Sequence, residues 1–162
     1  MAEIDEGAAF REAMSRVASS VHVVTTDGAA GPGGLTATSM ASVAADPPTL
    51  LFCVYKSSTS AERVAENGVF CVNVLGPEGR EVADVFAGKG GLSLEERFRT
   101  GSWTTLSTGA PVLEGALASF DCRLVDAKEF GTHLIMIGAV EAVAFGEPGA
   151  AGVYARRGYH TL

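Results

Sequence analysis

Two strand-like runs constrain this chain more than anything else in it. Leu117-Ala-Ser-Phe-Asp-Cys-Arg-Leu-Val125 alternates apolar with polar residues, and Gly131-Thr-His-Leu-Ile-Met-Ile-Gly-Ala-Val140 continues as a strand pattern to Phe145. Only Asp126 to Phe130 lie between them. A parallel crossover needs about a dozen residues or more, so the two runs must pair antiparallel. The alternation predicts Phe120, Cys122 and Leu124 facing inward, Ser119, Asp121 and Arg123 facing outward, and a kink or bulge at Gly138.

Further strands are expected elsewhere. Val21-His-Val-Val-Thr-Thr26 is rich in β-branched residues and stops at the turn signal Asp27-Gly28, with a loop following to Gly34. Thr49 to Tyr55 is apolar on both alternations, as in a central strand covered on both faces. Val69-Phe-Cys-Val-Asn-Val-Leu75 is apolar except for Asn73, whose carboxamide must find backbone partners or the edge of a ligand. Phe10, Ala13, Met14 and Val17 share one face of an opening helix, predicted to brace the core. Thr59-Ser-Ala-Glu62 and Ser93-Leu-Glu-Glu96 read as capping boxes, the first opening a helix that stops at Asn67-Gly68. Pro77 at a first helical position, with Val82, Val85 and Phe86 after it, predicts another short helix. The segment from Gly88 to Pro111, anchored by Trp103, is the least regular. The expected architecture is mainly β with short helices, an antiparallel barrel carrying helical caps, built as one domain over residues 1–162.

Composition excludes several functions. A net charge of −7 leaves no basic field for nucleic acid or an anionic membrane surface, so a phosphorylated ligand would need local cations or N–H groups. The longest apolar run, Leu50-Leu-Phe-Cys-Val54, is far short of the roughly 18 residues of a membrane span. The acidic opening Met-Ala-Glu-Ile-Asp-Glu is unlike a signal peptide, which makes a cytoplasmic location the expectation. Cys53, Cys71 and Cys122 lack C-x-x-C spacing and read as buried thiols. The glycines from Gly28 to Gly34 are interrupted by Pro32 and do not form a dinucleotide fingerprint, and Gly88-Lys89-Gly90 lacks the rest of a phosphate loop. There is no G-x-S-x-G element and no cluster of His and carboxylates at ligand spacing, so hydrolase and metal-dependent chemistry are unsupported. His22, inside a strand, is read as structural.

Chemistry concentrates between Gly33 and Thr59. Thr36, Thr38, Ser39 and Ser42 precede Pro47-Pro48 and a buried strand, after which Lys56-Ser-Ser-Thr59 stands where a helix begins. Hydroxyls and unpaired N–H groups suit a planar, carbonyl-rich ring, and a helix start beside Ser and Lys suits a phosphate. A flavin mononucleotide has both parts; other phosphorylated ligands remain compatible. Turn capping would explain the hydroxyls equally well.

The chain resembles the short-chain flavin reductases. The resemblance rests on Phe10-Arg-Glu-Ala-Met14, Val23-Val-Thr-Thr26, Gly34-Leu-Thr-Ala-Thr-Ser39, Ser42-Val with Pro47-Pro48, Phe70-Cys-Val-Asn-Val-Leu75, Phe86-Ala-Gly88, Gly131-Thr-His133, Ile137-Gly138 and Arg157-Gly-Tyr159. Within the family, Ala118-Ser-Phe-Asp-Cys-Arg123 and the ending resemble the flavin reductase of pyrimidine utilisation. Glu95-Glu-Arg-Phe and Thr108-Gly-Ala-Pro-Val-Leu113 also resemble the flavoenzyme that reduces cobalt corrinoids.

The resemblance implies an FMN-binding split β-barrel of antiparallel Greek-key type, usually a homodimer. It implies an NAD(P)H:flavin oxidoreductase that passes hydride from NADH or NADPH to FMN, with FAD possible, and supplies a partner monooxygenase. Carried onto this chain, it places the flavin ring against Thr36, Ala37, Thr38, Ser39 and Met40. The phosphate falls at Ser57, Ser58 and Thr59 with Lys56 as charge partner, and Asn73 and Val74 lie beside the ring or ribityl. His133 stands on the nicotinamide side as the catalytic-site histidine, and Tyr159 completes the nicotinamide pocket; without the family, His133 reads as a strand histidine satisfied by backbone. Two rivals remain: a reductase holding FMN for a dedicated acceptor such as a cobalt corrinoid, and a non-catalytic flavin-binding barrel.

Overall fold

The computed structural model describes residues 5–162; Met1–Ile4 of the acidic opening lie outside the described residues. The chain is mainly β with short helices. In order come α1 (Glu6–Met14), β1 (Ser19–Ser20), β2 (His22–Thr26), β3 (Gly33–Ala37), β4 (Met40–Ala45), β5 (Pro48–Tyr55), α2 (Thr59–Asn67) and β6 (Val69–Val74). A 3-10 turn at Pro77–Gly79 leads into α3 (Arg80–Phe86) and α4 (Leu94–Arg97). Then follow β7 (Trp103–Thr105), β8 (Pro111–Leu113), β9 (Ala118–Phe130), β10 (His133–Phe145), β11 (Gly152–Ala155) and β12 (Gly158–Thr161).

Seven strands form one antiparallel sheet in the order β3-β2-β6-β9-β10-β5-β4. Its centre is the β9–β10 hairpin anticipated from the short Asp126–Phe130 spacer; both strands run 13 residues, β9 because the spacer itself is strand. The register slips between Ile137 and Gly138. A Cβ at Gly138 would stand 2.3 Å from Phe70 Cζ, so glycine is what lets β10 pass over that ring. The outermost strands, β3 and β4, are consecutive in the chain, with only Thr38 and Ser39 between them. So short a link forces the sheet to curl until its edges approach. No ladder joins β3 to β4, and the sheet is not closed into a barrel.

The curl encloses Val24, Phe52, Val54, Phe70, Val72 and Met136, with Ala61 and Val64 of α2 plugging the interior. Phe52 and Phe70 meet edge to face at 5.0 Å; burying each ring contributes about 1.5–3 kcal/mol. A second cluster, Val21, Val23, Leu75, Val82, Phe86 and Leu113, packs under α3 with Phe98, Trp103 and Tyr159 against it.

Several expectations need correction. Ser119 and Asp121 are buried, not outward, because β7 and β8 and the loop between them fold over that face of β9; Arg123 is exposed as expected. The loop expected to Gly34 ends earlier, since Gly33 and Gly34 begin β3 and pair with Thr26 and Thr25. Thr59–Glu62 is not a capping box: Ser58 is the N-cap and makes no side-chain cap bond. The Ser93–Glu96 capping box does form, and Gly68 closes α2 in the left-handed conformation as predicted. β5 lies one strand from the edge, with Leu50, Phe52 and Val54 buried and its other face partly open. α1 buries none of its residues, and Phe10, at 66% exposure, braces nothing in this chain.

Candidate functional site

The β3–β4 connection is fixed from both sides. His22 is fully buried opposite Ala37 in the β2–β3 ladder, and its Nδ1 lies 3.1 Å from the Ala37 carbonyl. A carbonyl only accepts, so Nδ1 carries the proton, and Nε2 is left to accept from the Ser20 hydroxyl at 2.9 Å. Burial lowers the His22 pKa, and the bond to Ala37 opposes that only in part, so the ring is neutral. Its role is structural, as anticipated. Thr36 Oγ1 donates to the Ala83 carbonyl of α3 at 2.6 Å. Ser39 Oγ donates to the Cys53 carbonyl and accepts from the Cys53 N–H, which ties the connection to β5.

These bonds revise the hydroxyl reading. Thr36 and Ser39 spend their side chains on distant segments of the protein, neither capping its own turn nor standing free for a ligand, whereas Thr38 is exposed with no side-chain hydrogen bond among the described residues. Asn73 is likewise committed. Fully buried, it donates to the Val23 carbonyl at 3.0 Å and to Thr25 Oγ1 at 3.3 Å, and accepts from Leu113 N–H and Ser119 Oγ at 2.8 and 2.9 Å. All four hydrogen-bonding positions of the carboxamide are filled, so it pins β8 onto the sheet and has nothing left to offer a ligand. Its neighbour Val74 is half-buried and pairs with His22 and Ala118.

The second group lies at the far end of β5 and β10. Tyr55 and His133 are direct antiparallel partners, with ring centroids 4.2 Å apart and planes 35° from parallel. His133 Nδ1 meets Thr132 Oγ1 at 2.9 Å, a side-chain contact where the sequence suggested backbone. Lys56 donates its N–H to the Thr132 carbonyl, and its ammonium pairs with Glu129. Ser57 and Thr59 are exposed and Ser58 half-buried at the start of α2. None of the three hydroxyls has a partner among the described residues, whereas the next residue, Ser60, is buried and donates its hydroxyl to the Gly34 carbonyl at 2.8 Å, so the open hydroxyls are those just before and at the first residue of the helix.

Between β3, α3 and the β11–β12 hairpin lies an open cavity of about 390 Å³. Thr36, Ala37 and Thr38 form one wall and Tyr154 and Tyr159 another. Tyr159 meets Tyr154 edge to face at 5.3 Å, and its hydroxyl is held above the ordinary phenol pKa by burial first and by the Asp84 carboxylate second. Three cations the sequence reading left aside, Arg80, Lys89 and Arg157, also line this cavity. The basic Arg156-Arg157 pair was visible in the sequence; its convergence with Arg80 and Lys89 was not. The cavity thus joins the 36–38 wall to Tyr159, while Lys56, Ser57, Ser58, Thr59 and His133 lie outside its lining.

The buried thiols play no part in such a site. Cys71 and Cys122 are buried and unpaired, and burial with the Asp121 charge beside them raises both, Cys122 to about 12, so they are protonated thiols. No group of three His, Cys, Asp or Glu able to hold a metal occurs among the described residues. No helix among them is long and apolar enough to cross a membrane.

Residues 14–162 match a family model described as a flavin reductase like domain. The chain is 48% identical over 160 residues to FMN reductase (NADH) RutF 2 of Methylorubrum extorquens, covering 99% of this chain and 92% of that protein. It is 44% identical over 153 residues to FMN reductase (NADH) RutF of Agrobacterium fabrum, covering 94% and 87%. Among solved structures, a Haemophilus somnus protein described as a flavin reductase superposes with a TM-score of 0.92 at 41% identity, covering 97% of this chain and 99% of that one. BorF, the flavin reductase component of a bacterial two-component tryptophan halogenase, superposes with a TM-score of 0.89 at 32% identity, covering 97% and 98%.

Proposed function

This chain belongs to the flavin reductase-like domain family, and from that premise we propose that it is an NADH-dependent FMN reductase that hands reduced flavin to a separate flavin-dependent oxygenase. The observation that carries the activity is the 48% identity, over 160 of 162 residues, to an NADH-dependent FMN reductase. A separate partner enzyme is supported by the likeness to BorF, the reductase component of a two-component halogenase, and its being an oxygenase by the likeness, at 25% identity and a TM-score of 0.83, to the flavin reductase of a styrene monooxygenase from Pseudomonas putida.

The residues present fit a flavin nucleotide. The start of α2, where the Ser57, Ser58 and Thr59 hydroxyls lack partners among the described residues, suits the ribityl phosphate. Lys56 reaches that phosphate by exchanging Glu129 for it; both side chains are largely exposed, so the pair resists by under about 1 kcal/mol. The 36–40 connection offers backbone N–H groups and the Thr38 hydroxyl to the ring's carbonyl edge, held in place by His22, Ser39 and Thr36. Asn73 acts behind the site, and Val74 supplies apolar wall.

When bound, the flavin supplies the acceptor for the hydride of NADH, and the protein contributes placement and dipoles. His133, packed at a tilt against Tyr55 and held by Thr132, orients the nicotinamide side. Tyr159 closes the opposite wall. Water is excluded by the apolar strand edges and by a second copy of the chain: the uncovered side chains of α1 and the turn after it, Phe10, Met14 and Val17, and of the β9–β10 ends, Phe130 and Phe145, fit a homodimer contact. In this reading residues 1–162 act as one domain, the curled sheet is the two-edged form of a split Greek-key barrel, and the protein works in the cytoplasm.

The test is NADH oxidation by purified protein with FMN titrated from zero. A rate that saturates with added FMN is expected. Tightly held flavin bleached by NADH, with no dependence on added FMN, would favour a dedicated acceptor such as a corrinoid; no oxidation with any flavin would leave a binding protein.

A further inference from the structure

The cations Arg80, Lys89 and Arg157 are unexplained by a flavin bound at the 36–40 connection and the start of α2. Arg80 and Lys89 come from α3 and the loop directly after it, Arg157 from the distant β11–β12 turn, and the three line one cavity with Thr36, Thr38 and Tyr159. In a chain of net charge −7 the long-range field repels anions, so a local cluster of this kind is what would attract one. Two carboxylates face the cluster: Asp84 pairs with Lys89 at 2.6 Å and Glu12 with Arg157 at 2.8 Å. Arg80 has no carboxylate partner among the described residues and lies over the Tyr159 ring, 5.3 Å from its centroid.

The backbone offers an independent observation. The β11–β12 turn consists of Arg156 and Arg157, both in the left-handed region at φ 50° and 59°. A two-residue turn of this kind favours Asn-Gly or Gly-Gly, and longer side chains there are strained. Strain retained at a cavity mouth points to a use for the side chains themselves. Arg156 N–H is anchored to the Ser15 carbonyl at the end of α1, which holds the turn in place.

We propose that Arg80, Arg157 and Lys89 form the subsite for the diphosphate of the nicotinamide dinucleotide, with Tyr159 between it and the redox site. The proposal rests on the reductase reading above and deepens it. The flavin phosphate has its own place at the α2 turn, which does not line this cavity. The wall shared with Thr36 and Thr38 sets the cations beyond the ring position, where the rest of the dinucleotide must run. Guanidinium forks bind adjacent phosphoryl oxygens in pairs, a match that a lone ammonium lacks.

The experiment is steady-state kinetics and calorimetry on the full chain. Arg80→Ala and Arg157→Ala are each expected to raise the KM for NADH about tenfold and weaken ADP-ribose binding to the same degree. The KM for FMN and the rate with the phosphate-free donor 1-benzyl-1,4-dihydronicotinamide should stay at wild-type values. Glu12→Ala, which cuts the same contact between α1 and the hairpin but keeps the Arg157 charge, should leave the KM for NADH unchanged or lower it. An unchanged KM for NADH in both arginine variants would overturn the proposal. So would equal losses with the phosphate-free donor, which mark a structural role, or a raised KM for FMN but not for riboflavin, which marks a flavin phosphate site. ADP-ribose binding is read without turnover, so a wild-type protein that binds it through these arginines yet oxidises no NADH would defeat the reductase reading and leave the subsite standing.

Discussion

Two polar regions of this protein look alike in sequence and differ in one physical respect. Around Asn73, the groups of Thr25, Ser119, Thr108 and Asp121 are all paired with one another or with backbone, under the cover of β7 and β8. Around Thr38, the α2 turn and the basic cavity, hydroxyls and cations stand, among the described residues, without partners or with partly exposed ones. A buried polar group must be satisfied inside the protein, whereas one at the surface is held ready by water and can exchange it for a ligand. The first region therefore fixes the fold, and the second is where chemistry can happen.

That contrast breaks most visibly at Asn73. Asn73→Ala strands the Leu113 N–H and the Ser119 hydroxyl in a dry interior and should cost about 2–4 kcal/mol. Urea unfolding reads the loss; a variant with wild-type stability would show that the network is dispensable. Gly138→Ala tests the same interior sterically. Its methyl meets the Phe70 ring at 2.3 Å, and about 1–3 kcal/mol of destabilisation is expected in the same assay.

At the open region the effect should appear in turnover. His133→Ala is expected to lower kcat/KM for NADH about tenfold, or ~1.4 kcal/mol, with FMN affinity and unfolding midpoint near wild type. Wild-type NADH kinetics in that variant would remove the histidine from the site.

His22 sharpens the comparison through pH. Its folded pKa is lowered by burial from 6.5, so below that pH the unfolded chain binds a proton that the folded chain refuses. Stability contributed by this group is thus complete above about pH 6.5 and falls as the pH drops. His22→Gln should flatten the melting temperature between pH 7 and 5. The smallest effect belongs to Lys56 and Glu129: Glu129→Ala should alter stability by less than about 1 kcal/mol yet tighten FMN binding severalfold, by releasing the ammonium to the phosphate.

Legibility followed the same division. The β9–β10 hairpin, the αL stop at Gly68 and the Ser93 capping box rest on local signals, such as spacer length, a residue tolerant of positive φ and a reciprocal side-chain bond, and these were readable. Asp121 and Ser119 were misread because alternation reports which residues differ from their neighbours, not what later folds over them. The hydroxyls around Thr36 and Ser57 stood out by their own chemistry and His133 only through a family resemblance, and the structure then sorted the hydroxyls into those already bonded and those still open.

Antiparallel pairing, the glycine at the β10 slip, the missing membrane-length run and the acidic balance are properties of short segments or of composition, and the sequence by itself determined them. Whether Asn73 faced a ligand or the core, whether Thr36 was free, and whether Arg80, Lys89 and Arg157 met at all were decided by tertiary structure. Each depends on segments dozens of residues apart arriving at one place, and no local pattern in a chain records where its distant parts will come to rest.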